Sequence, residues 1–119
     1  MRHHNSNRIF GRKANGRRAL LRSLALSLID HGRIETTEAK AKELRPYIEP
    51  LVTKAKQDTI MTRRYLVSKL GSGAQPSAVK KLVETIAPKY KERPGGYTRI
   101  IKTDIRVSDG GRMAVIEFV

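Results

Sequence analysis

Arg93, Gly95, Gly96, Tyr97, Thr98, Arg99 and Lys102 stand close together in the stretch ERPGGYTRIIK. These residue types suit a polyanion. An arginine fork matches phosphate oxygens in pairs, and glycines let backbone approach a phosphate closely. An aromatic ring or a guanidinium plane takes an unstacked base. Alternation along a strand puts Tyr97 and Arg99 on one face. Three readings compete: an enzyme's nucleotide cradle, an ordinary turn, and a turn shaped for close contact with nucleic acid. The cradle fails on context. A P-loop needs G-x-x-x-x-G-K-[ST] between a strand and a following helix, whereas here the helical pattern precedes the glycines. The G-x-G-x-x-G fingerprint is absent as well. Arg93-Pro94-Gly95-Gly96 fits a type II turn, with Gly95 where φ must be positive. Such a turn accounts for Pro94 and Gly95 but not for Gly96 or the basic neighbours, which favour RNA.

The rest of the charge agrees. The chain of 119 residues carries 25 Lys+Arg against 11 Asp+Glu, a formal net charge of +14. Self-repulsion on that scale calls for a polyanionic partner, nucleic acid first and an anionic membrane surface second. Residues 1–22 hold seven basic side chains (Arg2, Arg8, Arg12, Lys13, Arg17, Arg18, Arg22) and no acid. With few apolar residues, residues 1–16 read as a basic arm that orders on its partner, and residues 17–119 as a single domain. A frayed solvated tail is the plainer alternative. Residues 30–58 are balanced at six against six, whereas residues 61–91 carry seven basic groups and one acidic.

Other chemistry is poorly supplied. No cysteine is present, which removes disulfides and thiolate metal sites. His3, His4 and His31 lack the spacing of a zinc site, so His3 and His4 are better placed to stack on or bond a partner. Acids such as Glu38 and Glu43 sit among lysines as on a solvated helix face, while Glu49 and Asp58 have no partner visible from local spacing. No catalytic constellation, cofactor or small-molecule substrate is expected. No apolar run approaches the roughly 20 residues of a membrane span. An Arg-rich organellar presequence is conceivable, but residues 1–22 run straight into a helical pattern, so a cytoplasmic protein is expected. Arg63 and Arg64 raise a DNA-reading helix-turn-helix, but no helix pair has its tight turn. A nucleoid-type DNA architectural protein is the alternative to an RNA binder.

Periodicity supplies the elements that must position these groups. Leu20, Leu21, Leu24, Ala25 and Leu28 predict a helix over Arg17–His31, capped by Asn15 and stopped by Gly32. RIETT (33–37) alternates like a strand. Thr36 or Thr37 then caps a helix with the stripe Ala41, Leu44, Ile48, Leu51, Val52 and Ala55, which Pro46 and Pro50 should kink or divide. Thr59 opens a third helix that ends at Gly71. Pro76 starts a fourth, with Val79, Leu82, Val83 and Ile86 inward. Residues 98–107 and 112–119 predict a hairpin about SDGG. The expected fold is α+β in two layers, helices on a small mixed sheet, in the order α-β-α-α-α-β-β behind a basic arm.

Several stretches carry a family resemblance: MRH at the start, Gly11-Arg12, and TTEAKAKELR over Thr36–Arg45. EPLVTKAK, Arg63-Arg64, IAPKYKERPGGYTRI and the final MAVIEFV follow in order. Together they resemble the bacterial large-subunit ribosomal protein L-seventeen family from Met1 to Val119. That resemblance implies a two-layer α/β fold and a structural place in the large ribosomal subunit near the peptide-exit side. It also implies ribosomal RNA and neighbouring ribosomal proteins as partners. The family's RNA-contacting arm falls on Arg2, His3, Arg8, Arg12, Lys13, Arg17, Arg18 and Arg22, and its glycine loop on Arg93 through Arg99. Arg63, Arg64 and Lys102 complete the candidate set. Two positions depart from the family pattern. Asn15-Gly16-Arg17 stands where Ser-His-Arg is common, and Ser23 where Asn is common, so contacts by those His and Asn side chains do not carry over.

Overall fold

The computed structural model describes residues 10–11, 13–71 and 76–119. Helix α1, Ala14–His31, starts three residues earlier than the apolar pattern implies. Asn15 lies inside its first turn. Lys13 is the N-cap and uses no side chain; its carbonyl accepts the Arg17 amide at 2.9 Å. Gly32 ends the helix in the left-handed conformation at φ 79°, a geometry glycine adopts without a Cβ penalty. Only Ala25 and Leu28 of the expected stripe are fully buried, joined by Ile29.

Strand β1 (Arg33–Thr37) leads directly into helix α2 (Glu38–Ala55). Thr37 caps α2, its hydroxyl accepting the Lys40 amide at 3.3 Å. All six residues of the expected apolar stripe on α2 are buried. Pro46 and Pro50 lie within this one helix and do not divide it. Both prolines are exposed, one helical repeat apart on the solvent side. The carbonyls deprived of an N–H donor, those of Lys42 and Pro46, belong to exposed residues that water reaches. Helix α3 (Ile60–Leu70) is capped by Thr59, which accepts the Thr62 amide at 3.1 Å, and ends at Gly71. Helix α4 (Pro76–Lys81) widens into a π turn over Leu82–Ile86 and tightens into a 3-10 turn over Ala87–Tyr90.

Strands β2 (Thr98–Ile105) and β3 (Arg112–Phe118) form the expected hairpin. The sheet order is β1-β3-β2, with β3 antiparallel to both neighbours. The sheet is therefore antiparallel throughout among the described residues rather than mixed. A period-two pattern marks strands without giving their direction, so this feature depended on the long-range pairing of β1 with β3. Helix α2 spans all three strands on one face, while α1, α3 and the π turn over Leu82–Ile86 pack around it and α4 packs on α1 and α3. Leu28, Ile29, Leu44, Ile48, Leu66, Leu82 and Ile116 fill the space between the layers. Beyond Ile100 the β2 side of the hairpin is exposed up to Gly110.

Candidate nucleic-acid interface

The glycine loop is clamped from below by α2. Tyr97, expected to offer its ring to a partner, is 0 % exposed, and Thr98 is 2 % exposed. The Tyr97 hydroxyl shares a hydrogen bond of 3.0 Å with Thr53 Oγ1. Its ring packs against Tyr90, with centroids 5.2 Å apart. The Lys56 ammonium lies 4.7 Å from the ring centroid and also donates to the Arg93 carbonyl. Burial raises the Tyr97 phenol pKa, but bonds to Lys56 and Thr53 outweigh it and leave the group below its ordinary value. Thr98 donates its amide (3.0 Å) and its hydroxyl (3.2 Å) to Glu49 Oε2, while Arg45 donates to its carbonyl at 3.1 Å. Glu49 thus has a partner that helical spacing does not reveal. Tyr97 is a core residue and offers no ring face on which a partner's base could stack.

The glycine pair also exchanges roles. Positive φ falls on Gly96, at 65°, and not on Gly95, so a type II turn over residues 93–96 does not form. The Arg93 amide instead donates to the Tyr90 carbonyl at 2.9 Å. Gly96 is the residue the turn requires. Gly95 has neither a positive φ nor any atom within 4 Å of where a Cβ would stand. Nothing inside the described chain requires glycine there.

Of the remaining candidates, several are already engaged. Arg93 Nε folds back to the Gly95 carbonyl at 3.2 Å. Arg99 Nε donates to Glu117 Oε1 at 2.7 Å, and Arg33 approaches the same carboxylate from β1 at 3.7 Å. This row follows from the register, which sets Glu117 between Arg33 and Arg99. Lys102 stands 3.6 Å from Glu38, whose first partner is Lys42 at 2.8 Å. The bond from Lys42 holds the Glu38 carboxyl below its usual pKa. Arg63 grips Asp58 at 2.8 Å and 3.2 Å and reaches Glu84 at 3.2 Å. Asp58 is therefore not solitary, and its pKa is lowered chiefly by that bond. Arg22 meets the Tyr47 hydroxyl and runs beside Gly71.

Lys13, Arg18 and Arg64 remain exposed and enter none of these contacts. Arg17 is partly buried on the same helix. Arg2, His3, Arg8 and Arg12 lie outside the described residues. Lys56, Arg45 and Glu49, which shape the loop, went unread because their partners stand 37 to 53 residues away. Among the described residues, no group of three or more His, Asp or Glu side chains is arranged to hold a metal ion. No described helix is long and apolar enough to cross a membrane.

Fold and surface define a small basic α+β domain with a glycine loop locked onto its central helix and exposed cations on its helix faces. The family model described as Ribosomal protein L17 matches residues 20–119. A relative from Nautilia profundicola, named large ribosomal subunit protein bL17, is 54% identical over all of this chain and 98% of its own length. Proteins of the same name from Sulfurimonas denitrificans and Gemmatimonas aurantiaca are 51% and 50% identical, again over the whole of this chain. The chain belongs to the ribosomal protein L17 family.

Proposed function

We propose that this protein is a structural, non-enzymatic constituent of the large ribosomal subunit in the bacterial cytoplasm, bound to its ribosomal RNA beside neighbouring ribosomal proteins. Family membership across residues 20–119 is the observation that carries this reading. The charge of +14 supports it, because phosphate contact offsets a self-repulsion that the protein's own acids cannot. In this reading residues 1–16 form an RNA-bound arm carrying Arg2, His3, Arg8, Arg12 and Lys13, ahead of a domain over 17–119. Helix α1 extends the arm's charge with Arg17, Arg18 and Arg22, and Arg64 adds a cation on α3. The loop contributes Arg93, Arg99, Lys102 and the Gly95 backbone, with Tyr97 and Thr98 as its support. In a sucrose gradient at moderate salt the protein should co-sediment with large subunits. Recovery only from the free fractions refutes the proposal.

The loop has its own test. Gly95 is explained by no internal contact, which suits backbone approached by a phosphate. Gly95→Ala should leave thermal stability unchanged and weaken binding to large-subunit RNA. Gly96→Ala should instead destabilise the fold by about 1–2 kcal/mol, the cost of a left-handed non-glycine residue. Equal RNA affinity for Gly95→Ala and the wild type would remove the loop backbone from the interface.

A further inference from the structure

Between α2 and α3 lies an open groove of about 510 Å³ lined by Pro50, Thr53, Lys54, Gln57 and Tyr65. Tyr65 forms one wall and is 36 % exposed. Two ammonium groups flank its ring, Lys54 at 5.4 Å and Lys69 at 5.6 Å from the centroid. Neither lysine enters an ion pair among the described residues. No acid among the described residues lines the groove, and the nearby carboxylates are spoken for: Glu49 holds Thr98, and Asp58 holds Arg63. Gln57 is exposed, and its side-chain amide makes no hydrogen bond among the described residues.

We propose that this groove takes one unpaired base of the ribosomal RNA. The base stacks on Tyr65, its edge is read by the Gln57 amide, and the flanking phosphates are held by Lys54 and Lys69. This rests on the RNA-binding reading above but concerns a surface remote in sequence from the arm and the glycine loop. The two lysines do not block the ring. An exposed cation–π contact is weaker than base–aromatic stacking, so an arriving base displaces an ammonium, whose flexible stem lets it swing to the phosphate. Pro50 adds a rigid apolar residue to the lining. The positive strip continues through Tyr47, which donates to the Lys69 carbonyl, to Arg22 on α1. Charge complementarity along this strip selects RNA over a protein partner, although Ile60, Met61 and Val67 on the same helix are exposed and apolar.

The test measures affinity of the full-length protein for purified large-subunit ribosomal RNA across a salt series, with ultraviolet cross-linking alongside. Tyr65→Ala should bind roughly five- to a hundredfold more weakly, the range for losing one stacked base, with its salt slope unchanged because no phosphate contact is lost. Tyr65→Phe should retain wild-type affinity. Lys54→Ala and Lys69→Ala should each flatten the salt slope by about 0.7–0.9. The cross-link should map to the segment YLVSK at 65–69. Gln57→Ala, at an exposed position, gives a second loss that does not depend on how the fold tolerates Tyr65→Ala. If wild type binds and both Tyr65→Ala and Gln57→Ala bind equally well, the base slot is wrong and the parent reading stands. If the variants keep RNA affinity but dissociate from assembled subunits, the surface meets a protein and the slot is again wrong. Failure of the wild type itself to bind this RNA overturns the parent reading and the slot together.

Discussion

Tyr97 shows how a single side chain changes meaning between a chain and a fold. It precedes β2, so extrapolating the strand's alternation sets it beside Arg99, facing out. Yet Tyr97 and Thr98, adjacent in sequence, are both buried, whereas Arg99 is exposed, so the ring does not share the arginine's outer face. The positive φ of Gly96 turns the chain just before pairing begins, and α2 receives the ring. A buried aromatic with a hydroxyl partner makes two separable predictions. Tyr97→Ala should cost about 3–5 kcal/mol, as large-to-small core changes do. Tyr97→Phe should cost about 1 kcal/mol for the hydrogen bond lost at Thr53. Urea denaturation of the two variants measures both, and a Tyr97→Ala protein as stable as wild type contradicts the core assignment. The signal for this role was out of local reach, because Thr53 lies 44 residues from Tyr97 and Glu49 lies 49 from Thr98.

At the scale of elements, the features readable in advance are those fixed by neighbours in sequence. Thr37 and Thr59 cap the helices they precede, and Gly32 and Gly71 end α1 and α3. RIETT is a strand with the bounds its β-branched alternation implies. Strand direction, the continuity of α2 through two prolines and the π turn after α4 depend on packing or solvent exposure instead. The β2–β3 turn lies between these cases: SDGG announces a turn, but not the clamp that closes it. Arg106 holds Asp109 through two bonds of 2.8 Å and 2.6 Å, and Asp109 Oδ1 also accepts the Gly111 amide at 3.0 Å. The Arg106 bond, with help from that amide, lowers the Asp109 carboxyl to about 2 from 3.8. A depressed carboxylate stabilises the turn above its unfolded pKa and loses that effect as pH falls through the folded value. The Asp109 carboxyl resonance should therefore titrate near 2, and a midpoint near 3.8 would mean the clamp is open in solution. Asp109→Asn should speed hydrogen exchange at the Gly111 amide. Gly111→Ala should disturb the same clamp, since a Cβ there stands 3.1 Å from Asp109 Oδ1 and 3.2 Å from Arg106 Nη2.

For the whole molecule, the question is which of its cations are spent internally and which remain for a polyanion. Segregation of charge along the chain is plain in the order of the residues, but local sequence treats Arg63 and Arg64 as equivalent. The fold separates them. Arg63 joins α3 to Asp58 and Glu84, and these bonds raise its pKa above the ordinary arginine value. Arg64, one position on, is exposed and enters no ion pair among the described residues. Counterion release makes this difference measurable, since each neutralised phosphate contributes roughly −0.7 to −0.9 to the slope of log affinity against log salt. Arg64→Ala should flatten the slope for large-subunit RNA by about that amount and leave the melting temperature unchanged. Arg63→Ala should barely alter the slope but lower the melting temperature, because it frees two carboxylates beside the α3–α4 contact. Filter binding across a salt series, with thermal melts of the same two variants, reads both effects. Interchanged results would mean that Arg63 leaves its carboxylates for phosphate when RNA is present, and that the ion pairs of the free domain are exchangeable places on the interface.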